Sequence, residues 1–275
     1  MAPRRFELPR PTGTGAAVSA FGLAPVNEPP VAGRRLTDRG AARRRQIIEC
    51  GVRLVAERGA LRVRVVDIAR ELGVQSSLFY WYFRDLDDLL TQAITDARRY
   101  VRHVIAESIA PVDDPLAKVY IASYEPVRLA QFNEAERVMT LGDVEASLRP
   151  NYANELRKSI DGFIAEMTDI LIAGRELGAI RADMDARHLA TSVHSVVHHN
   201  IVLYYRGMQS GDVTELAEAI ASFAVRGVCA DAKHAAAVER TWAQHLGDPR
   251  RSTSHERAPS QTVPPLDRGG SSLSL

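Results

Sequence analysis

Residues 65–83, VVDIARELGVQSSLFYWYF, constrain the chain more than any other stretch. Their apolar and small residues fall where two short helices crossing at a tight turn require them. Ile68, Leu72 and Val74, then Phe79 and Tyr82, supply an inward face that passes from one helix to the next at Gly73, and Ala69 is small where the helices approach most closely. Gly73 tolerates the left-handed backbone that ends the first helix. Gln75, Ser76 and Ser77 open a second helix whose outward positions, Gln75 to Leu78 with Tyr80 and Trp81, are free to touch a partner. A helix-turn-helix offers its recognition helix to the DNA major groove in this way.

The preceding segment completes a three-helix head. RRRQIIECGVRLVAERGA, residues 43–60, places Ile47, Ile48, Gly51, Leu54 and Val55 at three-and-four spacing, with Gly59 as the stop. With these elements in order, the chain resembles the TetR family of bacterial transcriptional regulators. The resemblance is carried by the basic helix start, the Glu57-Arg58-Gly59 stop, DIARELGV at 67–74, YWYF at 80–83 and the acidic DLDDLL at 85–90. It covers residues 41 to about 101 and is architectural beyond them. It implies a homodimeric, ligand-responsive, sequence-specific DNA-binding regulator, most often a repressor released from its operator by a small-molecule effector.

Three residues depart from the family pattern. Arg64 stands where a Ser or Thr usually caps the second helix and touches a phosphate, so a cap is lost and a cation gained. Leu78 occupies a recognition-helix position that is usually small or hydroxylated, and Leu86 replaces a Lys that commonly contacts phosphate. Phosphate contact is therefore expected from Arg43, Arg44, Arg62, Arg64 and Arg84. Tyr80 and Trp81 match positions that approach the DNA backbone. Leu78, which cannot read a hydrogen-bond pattern, is expected to meet a thymine methyl.

The charge distribution agrees, although the whole chain carries only +1. Residues 1–86 hold fifteen Lys+Arg against eight Asp+Glu, leaving twenty basic and twenty-six acidic residues in 87–275. A basic head on an acidic body is what phosphate neutralisation by one end requires.

At 275 residues the chain has room for a second, larger domain. Residues 1–39 and 247–275, rich in Pro, Gly, Ser and Arg without periodicity, read as disordered tails around a head at 41–101 and a body at 102–246. There is no signal-peptide pattern and no run of about 18 apolar residues, so a cytoplasmic protein is expected. Cys50 and Cys229 form no metal or redox motif.

The body reads as all-α: a connecting helix at about 86–109 with Leu89, Leu90, Ala93, Ile94, Ala97, Val101 and Ile105 as its inner stripe, then helices at 115–130, 133–147 and 152–177, and a closing pair at 186–206 and 212–230. Leu189, Val193, Val196, Val197, Ile201, Leu203 and Tyr204 on the first of the pair, with Leu216, Ile220, Phe223, Ala224 and Val228 on the second, exceed what one buried face needs. The family arrangement implies that two copies pack this pair as a four-helix bundle. The resemblance also implies an effector pocket, for which Tyr120, Tyr124, Phe132, Met139, Phe163, Met167, His194 and His198 are the candidate lining. His194, His198 and His199 form the one concentrated titratable cluster; without a Cys or a third ligand nearby it reads as interface or pocket wall rather than a metal site. No nucleophile–base arrangement, phosphate-cradling loop or cofactor motif stands out, so neither an enzyme nor a cofactor is expected. The alternative reading is a binding module of the same fold whose head has lost operator affinity, with Leu78 and Leu86 as its mark.

Overall fold

The computed structural model describes residues 36–141, 148–209 and 211–246. Apart from residues 36–39, the tails expected at 1–39 and 247–275 lie outside the described residues.

The head begins with α1 (Asp38–Arg58), whose first turn is capped by the Thr37 hydroxyl accepting from the Gly40 N–H at 3.2 Å. Gly59 ends it at φ 83°. After a 3₁₀ turn at Ala60–Arg62 come α2 (Val65–Glu71) and α3 (Ser76–Tyr82). The body follows as α4 (Leu86–Ile109), α5 (Pro115–Ala130), α6 (Glu134–Leu141), α7 (Pro150–Glu176), α8 (Ala186–Tyr205), α9 (Val213–Val228) and α10 (Ala232–Leu246). Among the described residues the one β contact is the isolated bridge between Ile180 and Cys229. Asp85, Asp114, Asp185 and Asp212 each accept a backbone N–H from the first turn of α4, α5, α8 and α9. Each carboxylate also sits at the positive end of its helix, and such a cap contributes about 1 kcal/mol. The helix expected over 133–147 runs to Leu141, and residues 142–147 are outside the described set. Helix α10 was not separated in the sequence reading. Its signals were Asp231, which accepts from the Lys233 N–H at 3.0 Å, and the buried spacing Ala235, Val238, Trp242.

Two apolar clusters form, and α4 takes part in both. Its first half packs Leu89, Ala93, Ile94 and Ala97 against Ile47, Leu54, Ile68, Phe79 and Phe83 of the head, joined by Tyr152 and Leu156 from α7. Its second half gives Ile105 to the body cluster built around Leu116, Tyr120, Val127, Leu171, Val193 and Val225. Gly51 permits the close crossing of α1 and α4, because a Cβ there would sit 3.0 Å from the Leu89 methyls.

A polar tie fixes the same crossing. The Arg44 guanidinium is buried, at 5% exposure, and donates to Asp96 at 3.0 Å and to Gln92 at 2.6 Å. Arg99 meets the other Asp96 oxygen at 3.3 Å, and the Arg44 guanidinium lies 5.4 Å from the Phe83 ring centroid. Arg44, expected among the phosphate-contacting arginines, is thus withdrawn into the head. The sequence pattern could not show this, since its partners lie about fifty residues away on α4.

The closing pair also differs from the expectation. Leu189, Val193, Val197 and Ile201 of α8, and Ile220, Ala224 and Val228 of α9, are buried within this chain, and Val196, Tyr204 and Leu216 pack partly against the same cluster. The outward surfaces carry Thr191, Ser192, Ser195 and His199 on α8, and Ala219 with the 63% exposed Phe223 on α9. The apolar excess was therefore mostly internal core, and the exposed positions mix small residues with Arg187, His188, Glu215 and Arg226 and the one protruding ring.

Replacing Arg44 by Ala leaves the Asp96 carboxylate buried without its main counter-ion, and breaking such a pair costs roughly 3–5 kcal/mol. Urea unfolding of Arg44→Ala should show a loss of that order; a midpoint equal to wild type would mean that Arg44 is solvated and available to DNA.

Candidate nucleic-acid interface and ligand pocket

The turn between α2 and α3 follows from a few backbone bonds. Leu72 closes α2 in helical conformation, Gly73 takes φ 64°, and the Val74 N–H returns to the Ala69 carbonyl at 2.9 Å. Gln75 is extended and starts α3, with Phe79 and Tyr82 buried beneath it. This leaves Gln75, Ser77, Tyr80 and Trp81 exposed, the last two at 56% and 45%, with Ser76 half-buried between them. Large rings so exposed on a short helix are unusual for core residues; each carries a hydrogen that can be donated to a phosphate.

The arginines divide into distinct groups. Arg62 and Arg64 are exposed, and Arg43 is half-buried beside Tyr82, whose hydroxyl is pushed up by burial and held back by that charge. Arg64 has no acceptor in its side chain, so it cannot cap α2; instead its backbone N–H donates to Asp67 at 3.0 Å. Arg84 is exposed yet engaged, reaching Asp88 at 3.3 Å and lying over the Tyr152 ring at 5.6 Å. Arg149 also lies over this ring, 5.1 Å from the centroid, and pairs with Asp85 and Asp87. This junction between the starts of α4 and α7 was not foreseen, since it unites residues more than sixty positions apart.

Leu78 is half-buried and packs, with Leu72 and Leu86, against the apolar cluster of the head, which leaves part of its side chain at the surface beside the exposed Gln75, Ser77, Tyr80 and Trp81.

In the body, two adjoining hollows share Arg102 and Phe163 as a common wall. The larger, about 530 Å³, lies between α4 and α7 and includes Met167. The smaller, about 100 Å³, reaches α5, α6 and α8 and includes His194 and His198. Pro126, inside α5, cannot donate to the Ala122 carbonyl, and these two residues border the smaller and larger hollow respectively. Of the residues expected to line an effector pocket, Phe163, Met167, His194 and His198 lie at these hollows. Tyr120, Tyr124 and Phe132 line neither hollow. The two tyrosines are packed in the body core with centroids 6.2 Å apart, and burial pushes the Tyr124 hydroxyl up to about 12. Tyr120 is raised further for the same reason; Ser222 lies near enough to oppose that rise without hydrogen-bonding geometry. The side chain of Met139 is outside the described set.

The residues missed were Arg98 and Glu136. Arg98 interrupts the apolar stripe of α4 between Ile94 and Val101, which was the available signal. It donates to both Glu136 oxygens at 3.2 Å, and Glu136 is 8% exposed. Burial holds His194 down at about 4, helped by the nearby His198 and Arg98 and opposed by Glu136. Among the described residues no three metal-ligating side chains converge.

A helix-turn-helix with an exposed aromatic and basic face, set by a shared helix on an all-α body with internal hollows, defines a DNA-binding protein with a regulatory domain. Residues 47–93 match the bacterial regulatory proteins of the tetR family. The fatty acid metabolism regulator protein of Bacillus subtilis is 20% identical over 183 residues, 66% of this chain and 94% of that protein. The crystal structure of FadR from Bacillus subtilis with stearoyl-CoA superimposes with a TM-score of 0.59 at 20% identity, covering 66% of this chain and 98% of the other. A transcriptional regulator from Saccharomonospora viridis with choline gives 0.59 at 21% identity, covering 69% and 98%. The head of the chain thus matches that of the tetR family of bacterial regulatory proteins, and the chain shares the fold of these solved regulators.

Two measurements follow. Each lost phosphate contact lowers the slope of log affinity against log salt by about 0.9, so Arg64→Ala should flatten that slope by this amount with sequence preference retained; an unchanged slope would remove Arg64 from the interface. The depressed His194 pKa gives a second. Below its ordinary value of 6.5 the unfolded chain binds a proton that the folded chain refuses until about pH 4. The stability this ring contributes is thus intact above pH 6.5 and declines as pH falls toward 4. NMR titration of the His194 ring should give a midpoint near 4; a midpoint near 6.5 would put the ring in water.

Proposed function

We propose that the chain acts as a homodimeric repressor whose grip on an operator is loosened when a small molecule occupies the hollows between α4, α7 and α8. The observation that carries this reading is the double membership of α4, whose first half is packed into the DNA-reading head and whose second half walls the hollows. A ligand that favours one position of that helix over another changes the separation of two heads, which must match half-sites about 34 to 36 Å apart or a multiple of it. The stearoyl-CoA and choline bound by the structural neighbours support a pocket of this kind. The exposed Thr191, Ser192 and Ser195 of α8, with Ala219 and Phe223 of α9, support pairing through 186–206 and 212–230, where small side chains let these helices approach a second copy of themselves. The head is read as 41–101 and the body as 102–246. Action on DNA implies the cytoplasm, and among the described residues no helix is long and apolar enough to cross a membrane.

A second reading, a TetR fold with a weakened head, is favoured by Leu78 and Leu86 packing inward and by the withdrawal of Arg44. Gel shifts with the upstream region of the protein's own gene separate the two. The repressor reading expects a dimer that binds this DNA, weakened by Trp81→Ala without dissociation in sedimentation. It also expects release by the low-molecular-mass fraction of a cell extract, lost in Ile160→Trp, which fills the smaller hollow. Absence of any shifted complex at low salt would leave the second reading in place.

A further inference from the structure

The turn from α3 into α4 is acidic for a surface that is to meet phosphate. After Arg84 come Asp85, Asp87 and Asp88, with the uncharged Leu86 among them. Asp88 is buried and satisfied locally, by Arg84 at 3.3 Å and by Gln92 at 2.9 Å. Asp85 and Asp87 are half-buried, and among the described residues the ion pairs of both are with Arg149. Asp85 lies four residues after Trp81, so at about 3.8 Å per step their Cα atoms are at most about 15 Å apart. Charges separated by about a Debye length, about 10 Å at 0.1 M salt, still act on one another. A phosphate held by Tyr80 or Trp81 therefore feels the charge on this turn.

The cation that answers these two carboxylates comes from the body. Arg149 is the residue before Pro150 and the N-cap of α7, extended at φ −62° and ψ 148° as the proline requires. Leu148 and Tyr152, on either side of it, are buried in the head cluster, so the guanidinium is delivered to the turn by two apolar anchors. On local grounds arginine is a poor choice there. It has no acceptor for the free N–H groups of the first turn, and it puts a cation at the positive end of the helix. The starts of α4, α5, α8 and α9 have Asp in that place. What offsets the misfit at the start of α7 lies across the gap, at Asp85 and Asp87.

We propose that Arg149 is a positioning residue for DNA binding: it masks the Asp85 and Asp87 carboxylates and so keeps the α3–α4 turn from repelling the phosphates beside the recognition helix. This rests on the reading of the head as the DNA-binding surface. Both carboxylates already occupy the guanidinium, so its effect on DNA is that of a neutralising charge and not of a phosphate contact. Loss of Arg149 leaves one unanswered negative charge more in each protomer, at a distance where bulk water and salt weaken it without cancelling it.

Fluorescence anisotropy of the full chain on a short duplex of arbitrary sequence, and on the upstream region of its own gene, tests this. Arg149→Gln should weaken binding of both duplexes by about fivefold at about 50 mM salt, and the gap should close towards about 300 mM, where the Debye length falls to about 6 Å. Arg149→Lys, which keeps the charge without the paired geometry, should bind within about twofold of wild type. Asp87→Asn leaves Arg149 in place and removes one carboxylate, so it should bind more tightly than wild type. The double variant R149Q/D87N should return to within about twofold of wild type, because the two charges compensate. A purely structural tie between α7 and α4 gives the opposite sign for Asp87→Asn, which then weakens binding, and no rescue in the double variant. Either of those results, a gap that persists at high salt, or wild-type affinity in Arg149→Gln overturns the mask and leaves the DNA-binding reading standing. If the wild-type chain binds neither duplex at low salt, the DNA-binding reading falls and the mask with it.

Discussion

The packing of α4 into two cores at once is the constraint on which the rest of the molecule depends. Leu89, Ala93, Ile94 and Ala97 bind it to the head and Ile105 to the body, so neither cluster closes without this helix. Apolar contact alone permits a helix to roll or slide by part of a turn. The buried Arg44–Asp96 pair does not, because a displaced carboxylate in that setting loses its counter-ion. The contact at Gly51 acts in the same direction by bringing α1 close enough for the register to matter.

On the proposed repressor reading, two further ties would let α4 carry the effect of a ligand from hollow to head. Near its middle, Arg98 joins the wall of the smaller hollow through Glu136 and Leu156. At its start, Asp85 and Asp87 hold Arg149, and Tyr152 lies between Arg149 and Arg84. A ligand that shifts α7 relative to α4 would act on both ties, and the end of α3 and the start of α4 are separated by one short turn. Packed helices respond to such a shift as alternative arrangements rather than continuous deformation, which is how a small displacement at a pocket becomes a change of head spacing.

The division of the arginines carries a related lesson. A basic head was legible from counting, but a count treats every guanidinium alike. In the folded chain Arg44 serves the interior, Arg84 is shared between Asp88 and a ring, and Arg62 and Arg64 remain on the surface. The positive field of the head therefore rests on fewer residues than its composition suggests, and each matters more to the salt dependence of binding.

What the sequence determined by itself is what local periodicity and turn chemistry dictate. The helix-turn-helix, Gly73 at its turn, the exposed positions of α3, the extent of α4 and the caps at Asp85, Asp114, Asp185 and Asp212 depend on residues a few positions apart. That Phe163, Met167, His194 and His198 come to the hollows of the body follows from helices whose extents local pattern sets. Only tertiary structure decided the rest: that Leu78 packs partly against the head core, that Tyr120 and Tyr124 fill the body core, that Arg44 is buried, and that Arg98 meets Glu136. Each depends on partners brought together from distant segments. A residue type with two uses, an arginine for phosphate or for a buried carboxylate, a tyrosine for ligand or for packing, is assigned to one of them by the neighbours that the fold supplies.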